Sequence, residues 1–148
     1  MKALSLYPFW AWAVANSGKW PSSHPGKLVE NRSRYTNYRG DLVICAGKRF
    51  NRGEIEASIA SVRDAGLFGG RCPEPPDLNV LSAIRGSAVA VVHIDSCSRN
   101  TGGAWEVDGQ FGWHFSNVRP LRTLVPVRGQ LGIFRLTDQD AAAVACQL

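Results

Sequence analysis

Apolar and polar positions change rhythm along the chain, and each rhythm predicts an element. Residues 2–6, KALSL, alternate weakly and predict a short strand. Residues 8–18, PFWAWAVANSG, have proline at a helix start, glycine at the end and an interior that is apolar on nearly every side, which predicts a buried helix. Residues 19–27 are dense in proline, serine and glycine and predict a surface loop. Residues 28–34, LVENRSR, predict a strand, on which Glu30, Arg32 and Arg34 share one face because successive side chains alternate. DLVICA, residues 41–46, is an unbroken apolar run of strand length, and residues 52–66 have helical spacing at Ile55, Ile59 and Val62 before a glycine stop. Residues 69–79 are a proline-rich excursion, and residues 86–97, rich in valine, are the clearest strand.

The last third predicts three short strands, at 111–121, 122–127 and 130–136, divided by glycine and proline. It closes on a helix over 137–148 with Thr137 as its N-cap. There is no internal repeat. Short strands with a few interspersed helices predict an α+β fold, a small mixed β-barrel with flanking helices, rather than a doubly wound sheet. A length of 148 residues suits one compact unit over residues 1–148.

Charge adds a partner class to this outline. The formal net charge is +5, and thirteen arginines stand against four lysines. Guanidinium groups favour planar and anionic partners such as nucleotides, although these arginines are scattered and form no basic arm. Cys45, Cys72, Cys97 and Cys146 have no paired spacing and no histidine cluster beside them, so free thiols in a reducing cytoplasm are expected and no metal is implied. The apolar N-terminus is interrupted by aromatics and Pro8, lacks a small-residue cleavage site and is too short to span a bilayer, so it reads as folded structure with no membrane partner.

Several blocks taken in order carry a resemblance: ALSLYPFWAWAV, GKLVENRSRYTNYRGDLVICAGKR, GSAVAVVHIDSC, FGWHFSNVRPL and PVRGQLGIFRL. They resemble the ASCH domain family, which has a PUA-like fold, over nearly the whole chain. The most specific piece is Lys27-Leu-Val-Glu30-Asn-Arg32, which matches the family's K-x-x-E-x-R pattern between Gly26 and the YRG of residues 38–40. The chain departs from the family where a Gln-Pro pair is common, having Tyr7-Pro8 instead, and Lys19 in SGKW rivals Lys27 as the motif lysine. The resemblance implies a barrel with a cleft near the motif, used on RNA, nucleotides or modified nucleosides. Some members are similar to amidohydrolases that remove the acyl group of N4-acetylcytidine, others to RNA-binding modules, and ribonuclease activity is also attached to the family.

Amide hydrolysis needs an activated nucleophile, stabilisation of the carbonyl oxygen and a proton for the departing amine. Lys27, Glu30 and Arg32 carry groups for all three, with Asp95 as a fourth catalytic candidate near the end of the long apolar strand, beside His93. In a regular strand Lys27 and Glu30 have opposite parity, so they converge only if the strand begins after Lys27, for which Pro25-Gly26 supplies a turn. Substrate-binding candidates are Tyr7, Trp10, Arg34, Arg39, Trp113 and Asn117, the aromatics for stacking and the amide for a base edge. The expected partner is a modified cytidine nucleoside or nucleotide, with no cofactor and a monomer or weak dimer. Two alternatives stay open. An RNA-binding module would use Arg32, Arg34, Arg39, Lys48, Arg49 and Arg52 as a phosphate path, and a metal-independent nuclease would need His24, His93 or His114, whose spacing does not pair them.

Overall fold

A computed structural model describes residues 1–148. The chain forms β1 (Lys2–Leu6), α1 (Pro8–Ala15), β2 (Val29–Arg32), β3 (Gly40–Ala46), α2 (Arg52–Asp64), α3 (Leu78–Ala83), β4 (Ser87–Arg99), β5 (Phe111–Pro126), β6 (Ile133–Arg135) and α4 (Asp138–Ala145). All six strands join one sheet in the order β2-β5-β4-β3-β1-β6. β1 and β3 are parallel and every other pair is antiparallel.

The apolar run of β3 is continuous because both of its faces are covered. Leu42, Ile44 and Ala46 face a core shared with Ala11 and Val14 of α1. Val43 and Cys45 face the other way, into a core with Val144 of α4. A third cluster joins Phe9 of α1 to Ile55 and Val62 of α2 and Leu81 of α3. α1 therefore sits between two cores, which is why its sequence has no polar face. Local chemistry sets the starts of the other long helices: Asn51 accepts from the Glu54 amide at the head of α2, and Thr137 Oγ1 from the Asp140 amide at the head of α4.

The sheet is strongly curled. β2 and β1 are four steps apart in the strand order, which in a flat sheet would separate them by roughly 19 Å at about 4.8 Å per step. Yet Arg32 Nη2 on β2 donates to the Ser5 carbonyl on β1 at 3.3 Å. The result is the expected α+β architecture, realised as a mixed six-stranded half-barrel whose open side lies between β2 and β1.

Four element boundaries differ from the sequence expectation. Residues 111–126 are one strand, not two, because β2 pairs only with Phe111 to His114 and leaves Pro120 and Pro126 on a free edge where a missing N–H is harmless. The proline-rich stretch runs into α3, which buries Leu81 completely. The first helix stops at Ala15 and continues as a 3-10 turn over Ser17–Lys19. β2 begins at Val29, after Lys27. All four cysteines are free, and burial pushes the Cys45 thiol up to about 12. No helix is long and apolar enough to cross a membrane.

Candidate functional site

The turn before β2 is shaped by one glycine. A Cβ on Gly26 would lie 2.3 Å from the Ser17 carbonyl oxygen, so only glycine lets residues 25–27 press against the turn that follows α1. The next residue, Lys27, is thereby folded inward and is only 2% exposed. Its Nζ donates to the Val29 carbonyl, sits 3.6 Å from Glu30 Oε1 and lies 5.3 Å from the centre of the Trp10 ring. The opposite parity of Lys27 and Glu30 is resolved as the turn allows: Lys27 precedes the strand and curls back over it. Lys19, the rival, ends the 3-10 turn with an exposed side chain.

Glu30 is 8% exposed and holds a cation on each oxygen. Arg32 donates from Nε to Oε2 at 3.2 Å, and its Nη2 lies 3.1 Å from the same oxygen while also reaching Ser5. The guanidinium lies 5.7 Å from the Trp113 ring centre, and Nη1 has no protein partner. Desolvation lowers the Lys27 pKa below its ordinary 10.5; the Glu30 carboxylate opposes the shift, and the Arg32 charge adds to it. A lysine so placed gives up its proton more readily than a surface lysine.

These three residues line a cleft of about 1040 Å³, roomy even for a small-molecule site, that runs along the open side of the half-barrel. Tyr7 and Trp10 line it as well, as do Lys48 and Arg49, whose guanidinium lies 5.5 Å from the Tyr7 ring. The end of α2 and the segment before β6 add to the wall, and so does the loop between β4 and β5, which sequence reasoning passed over. Asn31, alternating with Glu30 and Arg32 on β2, fastens it: Nδ2 donates to the Trp105 carbonyl, and Oδ1 accepts from the Val107 amide and from Asn100 Nδ2. The Glu106 carboxylate accepts from the Thr101 and Gly103 amides, and these bonds hold its pKa below the usual carboxylate range. Trp105 has φ +67°, rare for a bulky residue, and is held there by its indole N–H on the Pro25 carbonyl and by an edge-on contact with Trp20. The available signal was a tryptophan isolated in a glycine-rich polar stretch.

The other candidates lie elsewhere. Asp95 is on an exposed part of β4 at a register shift, 3.8 Å from His93 and outside the cleft wall, because it alternates with the core-facing Ile94 and so projects with His93 from the other face of the strand. Trp113 is buried in the core beneath Arg32 and donates its indole N–H to the Arg34 carbonyl. Arg34 and Arg39 lie beyond the end of β2, exposed and off the cleft lining. Asn117, with φ +48°, is exposed on β5 past the last residue that β2 covers. Of the expected phosphate path, Arg32, Lys48 and Arg49 reach the cleft, whereas Arg52 pairs with Glu56 along α2. The histidines stay apart: His24 bonds Ser23, His93 bonds Asp41 and His114 bonds Ser98, and none lines the cleft.

No family model matches the chain, and no curated protein matches it. Among solved structures, the chain matches the crystal structure of a tyrosine-to-phenylalanine mutant of ZmASCH from Zymomonas mobilis. The match covers 98% of this chain and 96% of that one, with a TM-score of 0.53 and 10% sequence identity. The likeness is one of fold: this chain has the fold of an ASCH-domain protein.

Proposed function

We propose that the cleft is the active site of an amidohydrolase that removes the acyl group from the N4 amide of an acylated cytidine nucleoside or nucleotide. The observation that carries this reading is the buried ammonium of Lys27, 3.6 Å from the Glu30 carboxylate, in the wall of an open cleft. Desolvating a cation is costly, and a hydrophobic side chain of similar volume would serve packing better, so a retained buried lysine beside a cleft points to chemistry.

The three groups divide the work. Glu30 accepts a proton from the attacking water as its oxygen bonds to the acyl carbon. Arg32 keeps the carboxylate oriented through Oε2 and offers its unpartnered Nη1 to the carbonyl oxygen as that atom gains charge. Lys27, with its lowered pKa, donates a proton to N4 as the carbon–nitrogen bond breaks. The products are cytidine and the free carboxylic acid, and Lys27 regains its proton by way of Glu30. Tyr7, Trp10 and Trp105 offer aromatic faces for the cytosine ring.

The test is release of cytidine from N4-acetylcytidine by the purified protein, followed by absorbance, beside Lys27→Met and Glu30→Gln. Turnover by the wild type that falls by roughly 10²–10⁴-fold in folded variants is the expected result. A wild type inert toward the acetylated nucleoside, nucleotide and oligonucleotide alike overturns the proposal.

A further inference from the structure

A hairpin connection usually takes about two to five residues, yet β4 and β5 are joined by residues 100–110. The surplus is not loose. Gly102 to Val107 line the cleft, and Trp105 is the one side chain of the loop that meets a core cluster. A loop longer than its connection requires, laid along a cleft and held still, is shaped for what the cleft takes.

What holds it is a clamp of two amides. Asn31 stands on β2 between Glu30 and Arg32, and both ends of its carboxamide are used. Nδ2 donates to the Trp105 carbonyl at 2.9 Å, while Oδ1 accepts from the Val107 amide at 3.0 Å and from Asn100 Nδ2 at 2.9 Å. Asn100 Nδ2 donates to the Val107 carbonyl as well, and the Asn100 amide closes the neck of the loop on the Gln110 carbonyl. Opposite Asn31 on β5 stands Gly112, where a Cβ would lie 2.5 Å from Asn100 Oδ1. Glycine there leaves the room that the second amide fills. Asparagine suits the clamp because it both donates and accepts: aspartate of the same shape lacks the donor, and leucine lacks both.

The clamp acts on a tryptophan in an uncommon conformation. Trp105 has φ +67°, and its indole N–H is tied to the Pro25 carbonyl. Residues 25–32 therefore grip the loop on both sides of the hydrolytic groups, at Pro25 before Lys27 and at Asn31 between Glu30 and Arg32. Such a backbone persists only where its surroundings fix it, and in a cleft wall it sets a ring in place before any ligand arrives.

We infer that Asn31 is a positioning residue for the substrate: by clamping the loop between β4 and β5 it fixes Trp105 as the wall against which the ligand's ring lies. The inference rests on the proposed use of the cleft for an acylated cytidine, and it adds the residue that determines how tightly the ring is held. Asn31 acts through Trp105 alone.

Steady-state kinetics on N4-acetylcytidine test it in Asn31→Ala, Trp105→Ala and the double variant, with cytidine affinity measured by calorimetry and folding by thermal unfolding. Each single change should raise KM and weaken cytidine binding roughly tenfold. kcat should stay unchanged, because binding lost equally by ground and transition states does not alter it. The double variant should be no worse than Trp105→Ala, since without the ring the clamp has nothing to position. Trp105→Phe, which keeps a ring face, should lose less than Trp105→Ala. Asn100→Ala cuts the clamp from the loop side and should match Asn31→Ala, so it carries the test if Asn31→Ala does not fold. Clamp variants that lose stability but keep the wild-type KM and cytidine affinity overturn the inference and leave the clamp a joint of the fold. Losses that multiply in the double variant, or that fall on kcat alone, overturn it too. Turnover with KM unmoved leaves the hydrolase standing, whereas clamp-dependent cytidine binding by a wild type that does not hydrolyse overturns only the hydrolase. A wild type that neither binds cytidine nor turns over the acetylated nucleoside overturns both.

Discussion

Two carboxylates in this molecule are each gripped by two basic groups. Glu30 is held by Lys27 and Arg32, and Asp41 by His93 and Arg119. The contacts are of similar length, but the Asp41 side chain is half exposed while Glu30 and Lys27 are nearly without solvent. Water screens the first group and leaves its ions replaceable. The buried group cannot lose a member without stranding another charge. Similar ion-pair geometry thus yields a surface clasp in one place and, lining a cleft, a desolvated charge cluster in the other.

The sharpest way to break this comparison is to remove each carboxylate. Glu30→Ala strands the Lys27 ammonium and should cost about 3–5 kcal/mol of unfolding free energy, whereas Asp41→Ala should cost about 0.2–1 kcal/mol. Equal costs in denaturant titrations would mean that burial does not distinguish the two groups. A step smaller is Gly26→Ala, whose Cβ meets the Ser17 backbone. It should destabilise by about 1–3 kcal/mol and slow turnover by displacing Lys27. Gly18→Ala, which meets nothing within 4 Å, is the control that should leave both unchanged. A Gly26 variant indistinguishable from it would detach the lysine's position from the turn.

pH sharpens the comparison further, because the two groups act at opposite ends of the scale. The Lys27 pKa lies below 10.5 in the folded chain, so the unfolded chain binds more protons between the folded value and 10.5. Stability should therefore rise with pH through that window, and Lys27→Met should lack the rise. A constant difference between the two proteins across alkaline pH would show that burial imposes no cost on the ammonium. Smallest of all is the effect at Asp41. Its partial burial alone would raise its pKa, but hydrogen bonds from Arg119 and His93 outweigh that and bring it below 3.8. Its contribution is present above 3.8 and is lost as pH falls through the lower folded value, a loss that Asp41→Asn should not show in acid unfolding curves.

How much was legible follows from how local each feature is. Lys27, Glu30 and Arg32 lie within six positions, and the turn that brings them together is encoded beside them at Pro25-Gly26. The α4 start was equally plain, since the Thr137 cap is a contact between near neighbours. Asp95 could not be placed in this way, because packing decides that Ile94 faces the core and Asp95 the other side. Nor could Trp105, whose place in the cleft depends on Pro25, Trp20 and Asn31, each more than seventy positions away.

Sequence alone thus determined most of the order of the elements, the mixed α+β class and the turn that lets Lys27 meet Glu30 and Arg32, because periodicity, caps and turns are short-range physics. Tertiary structure decided the rest. Only the curl of the sheet brings β2 within an arginine's reach of β1, and only packing against α1 and the turn after it takes Lys27 out of water in the wall of a cleft. Dielectric environment belongs to the packed molecule, and it separates the motif from the charged cluster around Asp41.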